Sequence, residues 1–179
     1  MKAKLQLDPS DEKVKRLLLL HRNKDFVSLL ENSEELLKDF PENSTLLNLK
    51  GTAQAAQGLI KESLSSFTLA LKSPKDEAMI LNNIGITYLR LNEFEKAVVS
   101  LEKAIEINKL YSDAHLNLGN AYRRLGQMQK SIDSYDRAIE NDPNSQKAYL
   151  YKSLTLKNLG KFKESMESCN EAININPNL

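Results

Sequence analysis

Apolar residues recur along residues 112–145 with the spacing of two amphipathic helices. In the first half they follow the i, i+3, i+4, i+7 spacing of one helix face, at His115, Leu118, Gly119 and Tyr122. In the second half they advance by fours and threes, at Met128, Ile132, Tyr135 and Ile139. Gly126 stands between the two runs, where a glycine favours a turn. The segment is therefore predicted to form a helix, a turn and a second helix.

Three sets of small residues repeat this pattern along the chain with a period of 34 residues. Alanine stands at Ala70, Ala104, Ala138 and Ala172. One set of glycines is Gly51, Gly85 and Gly119, and the other is Gly58, Gly126 and Gly160, with Asn92 in its gap. These two sets contain all six glycines of the protein. The period predicts an all-α array of five helix-turn-helix repeats, over residues 10–43, 44–77, 78–111, 112–145 and 146–179.

Each set of small residues has a physical interpretation. A glycine inside a helix, such as Gly119, costs about 1 kcal/mol relative to alanine, so its use there indicates close packing against the partner helix. A glycine between two helices, such as Gly126, takes the left-handed conformation that ends a helix, and asparagine is the second-best residue for it. The alanines are predicted to be the matching small residues on the second helices.

The two terminal repeats depart from the pattern. In the first, Leu17 and Ser33 replace the glycine and the aromatic residue, so its two helices are expected to be spaced more widely. In the last, Ser153 and Cys169 stand at the same two places. Atypical terminal units are expected in repeat arrays. Residues 1–9 are predicted to be an N-terminal extension that leads into a capped helix start.

The segment 112–145 resembles the tetratricopeptide repeat. The resemblance is carried by Leu118-Gly119, Tyr122, Tyr135, Ala138 and Pro143, which match the Leu-Gly, Tyr, Phe, Ala and Pro of that motif. It implies a right-handed α-solenoid whose first helices line a concave groove. It also implies a non-catalytic scaffold that binds an extended peptide or a helix of a partner protein in that groove.

A narrower resemblance involves the first repeat. Residues 9–20, with Phe26 and the run 34–41, are similar to the start of bacterial arrays that precede glycosyltransferase or sulfotransferase domains. No such catalytic domain follows within these 179 residues. The alternative function is therefore a targeting module cut from, or associated with, such an enzyme.

The groove geometry of the family implies which side chains would contact a peptide. They are Asn48, Met79, Asn82, Asn83, Ile86, Asn117, Asn120, Arg123, Arg124, Lys147, Tyr151 and Leu154. Asn83 and Asn117 occupy equivalent places in successive repeats, and so do Asn48 and Asn82. Their amides are predicted to form a ladder that bonds a peptide backbone. The alternative is that these asparagines stabilise neighbouring helices.

Two further groups of groove residues suggest the chemistry of the ligand. Arg123, Arg124 and Lys147 are predicted to form a basic patch for a carboxylate or an acidic peptide, with solvated surface charge as the alternative. Tyr151 and Leu154 supply apolar surface for an anchor of the partner. The residue pattern of the family's chaperone-tail clamps is matched only in part, so recognition of a chaperone tail is not expected.

Composition limits the other functions. The chain is 41% hydrophobic and 27% charged, and its net charge of +1 provides no overall field for nucleic acid or a membrane. With no apolar signal segment in the sequence, a cytoplasmic protein is expected. Cys169 is the single cysteine, which excludes an internal disulfide and a multi-cysteine metal site. Neither histidine has a nucleophile or carboxylate at a recognisable spacing, so no enzyme activity, catalytic residue, cofactor or metal is predicted.

The last predicted helix carries an apolar set that no further repeat would cover. Its members are Phe162, Met166, Cys169, Ile173 and Ile175. Exposed apolar patches tend to mark interaction sites. Either self-association through this end of the array or removal of downstream sequence is therefore expected.

Overall fold

The computed structural model describes residues 11–72 and 76–177. Their regular structure consists of ten α-helices: α1 (Asp11–Arg22), α2 (Phe26–Asp39), α3 (Ser44–Ala56), α4 (Ile60–Ala70), α5 (Glu77–Arg90), α6 (Phe94–Ile107), α7 (Ser112–Arg124), α8 (Met128–Asn141), α9 (Gln146–Asn158) and α10 (Phe162–Ile175). The predicted all-α fold is confirmed. The predicted extension 1–9 and the capping residues that precede Asp11 lie outside the described residues.

The helices follow one another in pairs, joined by turns over residues 23–25, 57–59, 91–93, 125–127 and 159–161. The middle residue of every turn has a positive φ: Lys24 (59°), Gly58 (83°), Asn92 (59°), Gly126 (74°) and Gly160 (74°). The third residue donates its N–H to the carbonyl five residues earlier, as Gln127 does to Tyr122 at 2.9 Å. This 6→1 bond belongs to the Schellman motif. The predicted turn-forming set is confirmed, and Lys24 extends it to the first repeat.

The described residues fall into two compact units, one ending at Thr87 and the other beginning at Tyr88. The core of the first unit contains Leu17, Leu29, Leu46, Leu49 and Ala53. The second unit has one cluster of Ala97, Leu101, Leu118 and Ala121, and another of Leu116, Tyr135, Ala138 and Ala148. All four alanines of the 34-residue set are fully buried, as their packing role requires. A single array over residues 10–179 stays a prediction.

Two helix glycines pack directly against aromatic rings. A Cβ atom added to Gly51 would lie 2.7 Å from Cε1 of Phe67, well inside van der Waals contact, and one added to Gly119 would meet the ring of Tyr135. Phe67 and Tyr135 are both buried. The close packing predicted from the glycine spacing is therefore confirmed at these two hairpins.

In the first hairpin, the large side chain lies on the first helix and the small one on the second, the reverse of the arrangement in α3–α4 and α7–α8. Leu17 stands where α3 and α7 have glycine, Ser33 stands where α4 and α8 have the aromatic ring, and both side chains are buried. The Ser33 hydroxyl donates to the carbonyl of Leu29 at 2.6 Å, so this buried polar group is satisfied. Helices α1 and α2 approach each other less closely than α3 and α4 or α7 and α8. The predicted wider spacing is confirmed.

Candidate functional site

The asparagines predicted to line the groove of the first unit are mostly withdrawn from solvent. Asn48 on α3 is 6% exposed and Asn82 on α5 is 4% exposed. The amide Nδ2 of Asn83 donates to Oδ1 of Asn48 at 3.0 Å, which joins α3 to α5. This bond agrees with the alternative interpretation of the asparagines, in which they stabilise neighbouring helices. Contact of these amides with a peptide stays a prediction.

The other predicted residues of α5 are more accessible. Met79 is 39% exposed, and Ile86 is half-buried. One repeat later, Asn117 on α7 is also half-buried. The structure therefore leaves a mixture of apolar and amide surface on the first helices, with the amide of Asn48 already used inside the first unit.

In the second unit, helices α7, α8 and α9 bring a polar and aromatic group together. The hydroxyl of Tyr135 donates to Oδ1 of Asn120 at 2.9 Å. The ring of Tyr135 lies 6.3 Å from the ring of Tyr151, centroid to centroid. The guanidinium carbon of Arg123 lies 6.0 Å from the centroid of Tyr151, within the range of a cation–π contact. We call Asn120, Arg123, Tyr135 and Tyr151 the α7–α9 cluster.

Tyr135 was expected only as a packing residue, and the structure gives its hydroxyl a second role. Burial raises the pKa of Tyr135, while the neighbouring Ser131 and Arg123 offset part of that rise. The hydroxyl therefore stays protonated and positions the amide of Asn120. Nothing in the helical spacing of the sequence distinguishes this tyrosine from the phenylalanine at the same place in α4.

Arg123 interacts with the hydroxyl of Tyr135 and keeps one buried atom unpaired. Its Nε atom is shielded from solvent and has no hydrogen-bond partner. No carboxylate in residues 11–72 or 76–177 forms an ion pair with its guanidinium. Buried polar groups in native proteins nearly always have a partner, so an orphaned donor on a charged group requires an explanation.

Arg124 is directed away from Arg123. Its Nη2 atom donates to Oδ1 of Asn92 at 2.8 Å, and its guanidinium carbon lies 4.6 Å from the centroid of Phe94. Successive residues on a helix point about 100° apart, which agrees with the different directions of these two side chains. The structure therefore does not bring Arg124 into a basic patch with Arg123, and it places Arg124 against the turn that precedes α6.

Helix α9 presents the remaining predicted residues on one face. Lys147, Tyr151 and Leu154 follow the i, i+4, i+7 spacing. Lys147 is exposed and forms no ion pair within the described part of the chain, and Leu154 is 43% exposed. Beside the α7–α9 cluster this face therefore offers a free ammonium group and an apolar side chain.

A shallow cavity on the outer part of the second unit was not anticipated from the sequence. It has a volume of about 280 Å³ and is lined by Tyr88, Glu95, Lys96, Val99 and Ser100. Lys96 forms an ion pair with Glu93, and its ammonium lies 5.6 Å from the centroid of Tyr88. The hydroxyl of Ser100 donates to the carbonyl of Lys96 at 3.0 Å, so both of these lining residues already have partners within the chain.

The described residues give little support for a metal site, a catalytic site or a membrane span. No group of three or more His, Cys, Asp or Glu side chains among them could hold a metal ion. The Nε2 atom of His115 lies 3.0 Å from the carbonyl oxygen of Lys109, and the ring of His21 packs edge-on against the ring of Phe26. None of the ten helices is long and apolar enough to cross a bilayer.

Sequence profiles of one repeat family match three overlapping parts of the chain. Two profiles described as the tetratricopeptide repeat match residues 112–145 and 134–167, and one described as a TPR repeat matches residues 85–126. No curated protein matches the sequence. The matched residues include α7, α8 and α9, which carry the α7–α9 cluster.

Solved structures with the same fold cover nearly the whole chain. A crystal structure of MamA has a TM-score of 0.76 at 23% identity, over 94% of this chain and 95% of that one. MamA 41-end from Desulfovibrio magneticus RS-1 has a TM-score of 0.77 at 19% identity, over 93% and 97%. YrrB, described as a TPR protein with an unusual peptide-binding site, has a TM-score of 0.70 at 18% identity, over 95% and 88%. These matches do not favour a glycosyltransferase or sulfotransferase module. Together, these findings show that residues 85–167 belong to the tetratricopeptide repeat family and that the chain has the fold of these solved structures.

Proposed function

We propose that the protein is a non-catalytic scaffold that holds a peptide or protein segment on the face formed by α7 and α9. The observation that carries this proposal is the α7–α9 cluster, where a guanidinium group, an amide and two aromatic rings lie together beside the exposed Leu154. YrrB, a protein of the same fold, is described as having a peptide-binding site, which supports the same kind of ligand here. Tetratricopeptide repeat proteins generally act by binding other proteins.

Two kinds of contact would hold the segment on this face. The amide of Asn120 keeps an NH₂ group beyond the oxygen that Tyr135 occupies, so it is suited to a peptide carbonyl. Tyr151 and Leu154 provide the apolar contact surface, and aromatic anchors dominate the energy of many interfaces. Asn117, a further predicted position, would extend the contact along α7.

The test is affinity capture from the native host followed by mass spectrometry, with matched leucine variants as bait. Leu154→Ala removes an apolar side chain that is 43% exposed on the proposed face. Leu159→Ala removes one that is 42% exposed in the turn after α9. We expect a captured partner to bind Leu154→Ala about tenfold more weakly than wild type, and Leu159→Ala as wild type. Equal binding by both variants would contradict the proposed face.

A second candidate function is self-association through α10, favoured by one observation. Phe162 and Met166 are 65% and 67% exposed, and Ile173 on the same face is 43% exposed. The corresponding residues of α8 are Met128, Ile132 and Ile139, and these are buried or half-buried. An apolar face of this kind gains free energy when a second molecule covers it.

A further inference from the structure

We propose that the exposed apolar face of α10 binds helix α1 of a second copy of this chain, so that the copies join head to tail. This inference rests on the proposed self-association through α10 and names the surface that covers it. Within the described chain, α3, α7 and α9 each pack against the second helix of the preceding repeat, which is α2, α6 and α8 respectively. The natural partner for a face on a second helix such as α10 is therefore a first helix.

Helix α10 keeps the apolar residues with which α6 binds α7. Val98 and Ile105 of α6 pack against a buried cluster that includes Ala121 of α7. Two periods later, Met166 and Ile173 stand at the same positions on α10, and their side chains are 67% and 43% exposed. The apolar residues that hold a first helix are thus present on α10, and the described residues leave them uncovered.

Helix α1 has a matching apolar residue on the face that packs between repeats. Ala53, Ala121 and Thr155 occupy equivalent positions on α3, α7 and α9, and each is fully buried. The residue of α1 at this position is Leu19, which is 55% exposed. An exposed leucine gains free energy when a second apolar surface covers it. Leu19 is therefore placed to contact Met166 of another copy.

An ion pair recurs between consecutive repeats and points to the same partner. Lys50 of α3 pairs with Glu34 of α2 at 3.0 Å, and Lys152 of α9 pairs with Asp136 of α8 at 2.6 Å. The two lysines occupy one position of the 34-residue period, and the two carboxylates occupy another. The equivalent of the lysines in α1 is Arg16, which is exposed and forms no ion pair within the described residues. Arg16 is therefore a cation at a position that binds a second helix.

The net charges of the two helices are complementary. Helix α1 carries four lysines and arginines and two carboxylates, whereas α10 carries one lysine and three glutamates. Complementary charge steers two surfaces together, and like charges oppose each other when they are brought into contact. Two α10 helices would bring their glutamates together. The charges therefore favour α1, and not a second α10, as the helix that covers this face.

The experiment blocks one surface of the contact at a time. Leu19→Glu places a charge on α1 and leaves α10 intact, and Met166→Glu does the reverse. Wild type, each variant and an equimolar mixture of the variants are compared by sedimentation velocity over a range of concentrations. Each variant alone should associate at least about tenfold more weakly than wild type, because its intact surface finds no partner. The mixture should form a dimer that contains one copy of each variant, because the two intact surfaces complement each other.

The controls separate this arrangement from a contact between two α10 helices. Such a contact would leave Leu19→Glu associating as wild type, which would overturn the inference while self-association stood. A wild type that stays monomeric at the highest concentration would overturn both. Val27→Glu is the matched control, because Val27 is 60% exposed and stands where later repeats have Glu95, Gln129 and Lys163. It should associate within about twofold of wild type, and circular dichroism checks that all three variants remain helical.

A further variant adds a contact instead of removing one. Asn170 of α10 is exposed and stands where α2 and α8 have Glu34 and Asp136. Asn170→Glu should give Arg16 of the next copy a carboxylate and strengthen association about two- to fivefold, whereas a contact between two α10 helices would be weakened by the added charge. Arg16→Gln in the same chain should abolish the gain. Weaker association of Asn170→Glu, or an equal gain with Arg16→Gln, would contradict the proposed contact.

Discussion

Lys24 occupies a backbone conformation that suits glycine. Its φ of 59° is the left-handed value, which the corresponding turns of the chain give to Gly58, Gly126 and Gly160, or to Asn92. A side chain with a Cβ atom is strained there by about 1 kcal/mol. The 6→1 bond from the N–H of Asp25 to the carbonyl of Leu20, at 3.0 Å, holds the turn in place despite this strain.

Replacing Lys24 by glycine should therefore stabilise the protein. Relief of the strain exceeds the extra freedom that glycine has in the unfolded chain, and a gain of about 0.5 kcal/mol in the free energy of unfolding is expected. The measurement is urea unfolding followed by circular dichroism. The control is Asn23→Gly in the same turn, where φ is not positive and a loss of stability is expected. A destabilised Lys24→Gly protein would contradict the strain.

At the scale of elements, α6 and α7 are joined by a tyrosine. The hydroxyl of Tyr122 donates to Oε1 of Glu102 at 2.7 Å, and the ammonium of Lys130 lies 5.3 Å from the centroid of its ring. Burial of the hydroxyl, followed by its bond to the Glu102 carboxylate and the charge of that group, raises the pKa of Tyr122 to about 12. The ordinary tyrosine pKa is about 10.

This shift gives a pH dependence of definite sign. Between about pH 10 and pH 12 the unfolded chain loses the Tyr122 proton while the folded chain keeps it, so stability falls as the pH rises through this window. Tyr122→Phe should lack that part of the loss, as seen in urea unfolding at the two ends of the window. Glu102→Gln should lower the pKa of Tyr122 only in part, because burial is the larger cause, and an NMR titration of the tyrosine ring would report it.

The sequence predicts backbone features of the elements better than side-chain directions. The 34-residue spacing identified the turns and the packing of Gly51 and Gly119, because each of these features depends on the residue type at a single position. It could not predict that Asn83 bonds to Asn48, or that Arg124 turns towards Phe94 while Arg123 lies over Tyr151. Those choices are decided by side chains of a neighbouring repeat, which the local pattern does not contain.

For the whole molecule, the proposed self-association through α10 predicts an oligomeric state that depends on concentration. We expect the wild-type mass measured by light scattering to rise with protein concentration. Phe162→Glu with Met166→Glu should keep the protein monomeric, because charge on the face opposes burial. Val99→Glu is the control, since Val99 is 53% exposed on α6 and lies outside the α10 face. A monomeric wild type at high concentration would count against self-association.

The five turns have a consequence for how the chain tolerates changes of length. Each consists of three residues with the same left-handed centre and the same 6→1 bond, whatever side chains they carry. A deletion or duplication of one full period that starts and ends at equivalent turn residues would therefore leave every remaining turn with its left-handed centre and its 6→1 hydrogen bond. An insertion within one of these turns would instead leave one helix end without its closing bond. Whole periods are thus the units in which this gene can gain or lose sequence while the backbone keeps its hydrogen bonds.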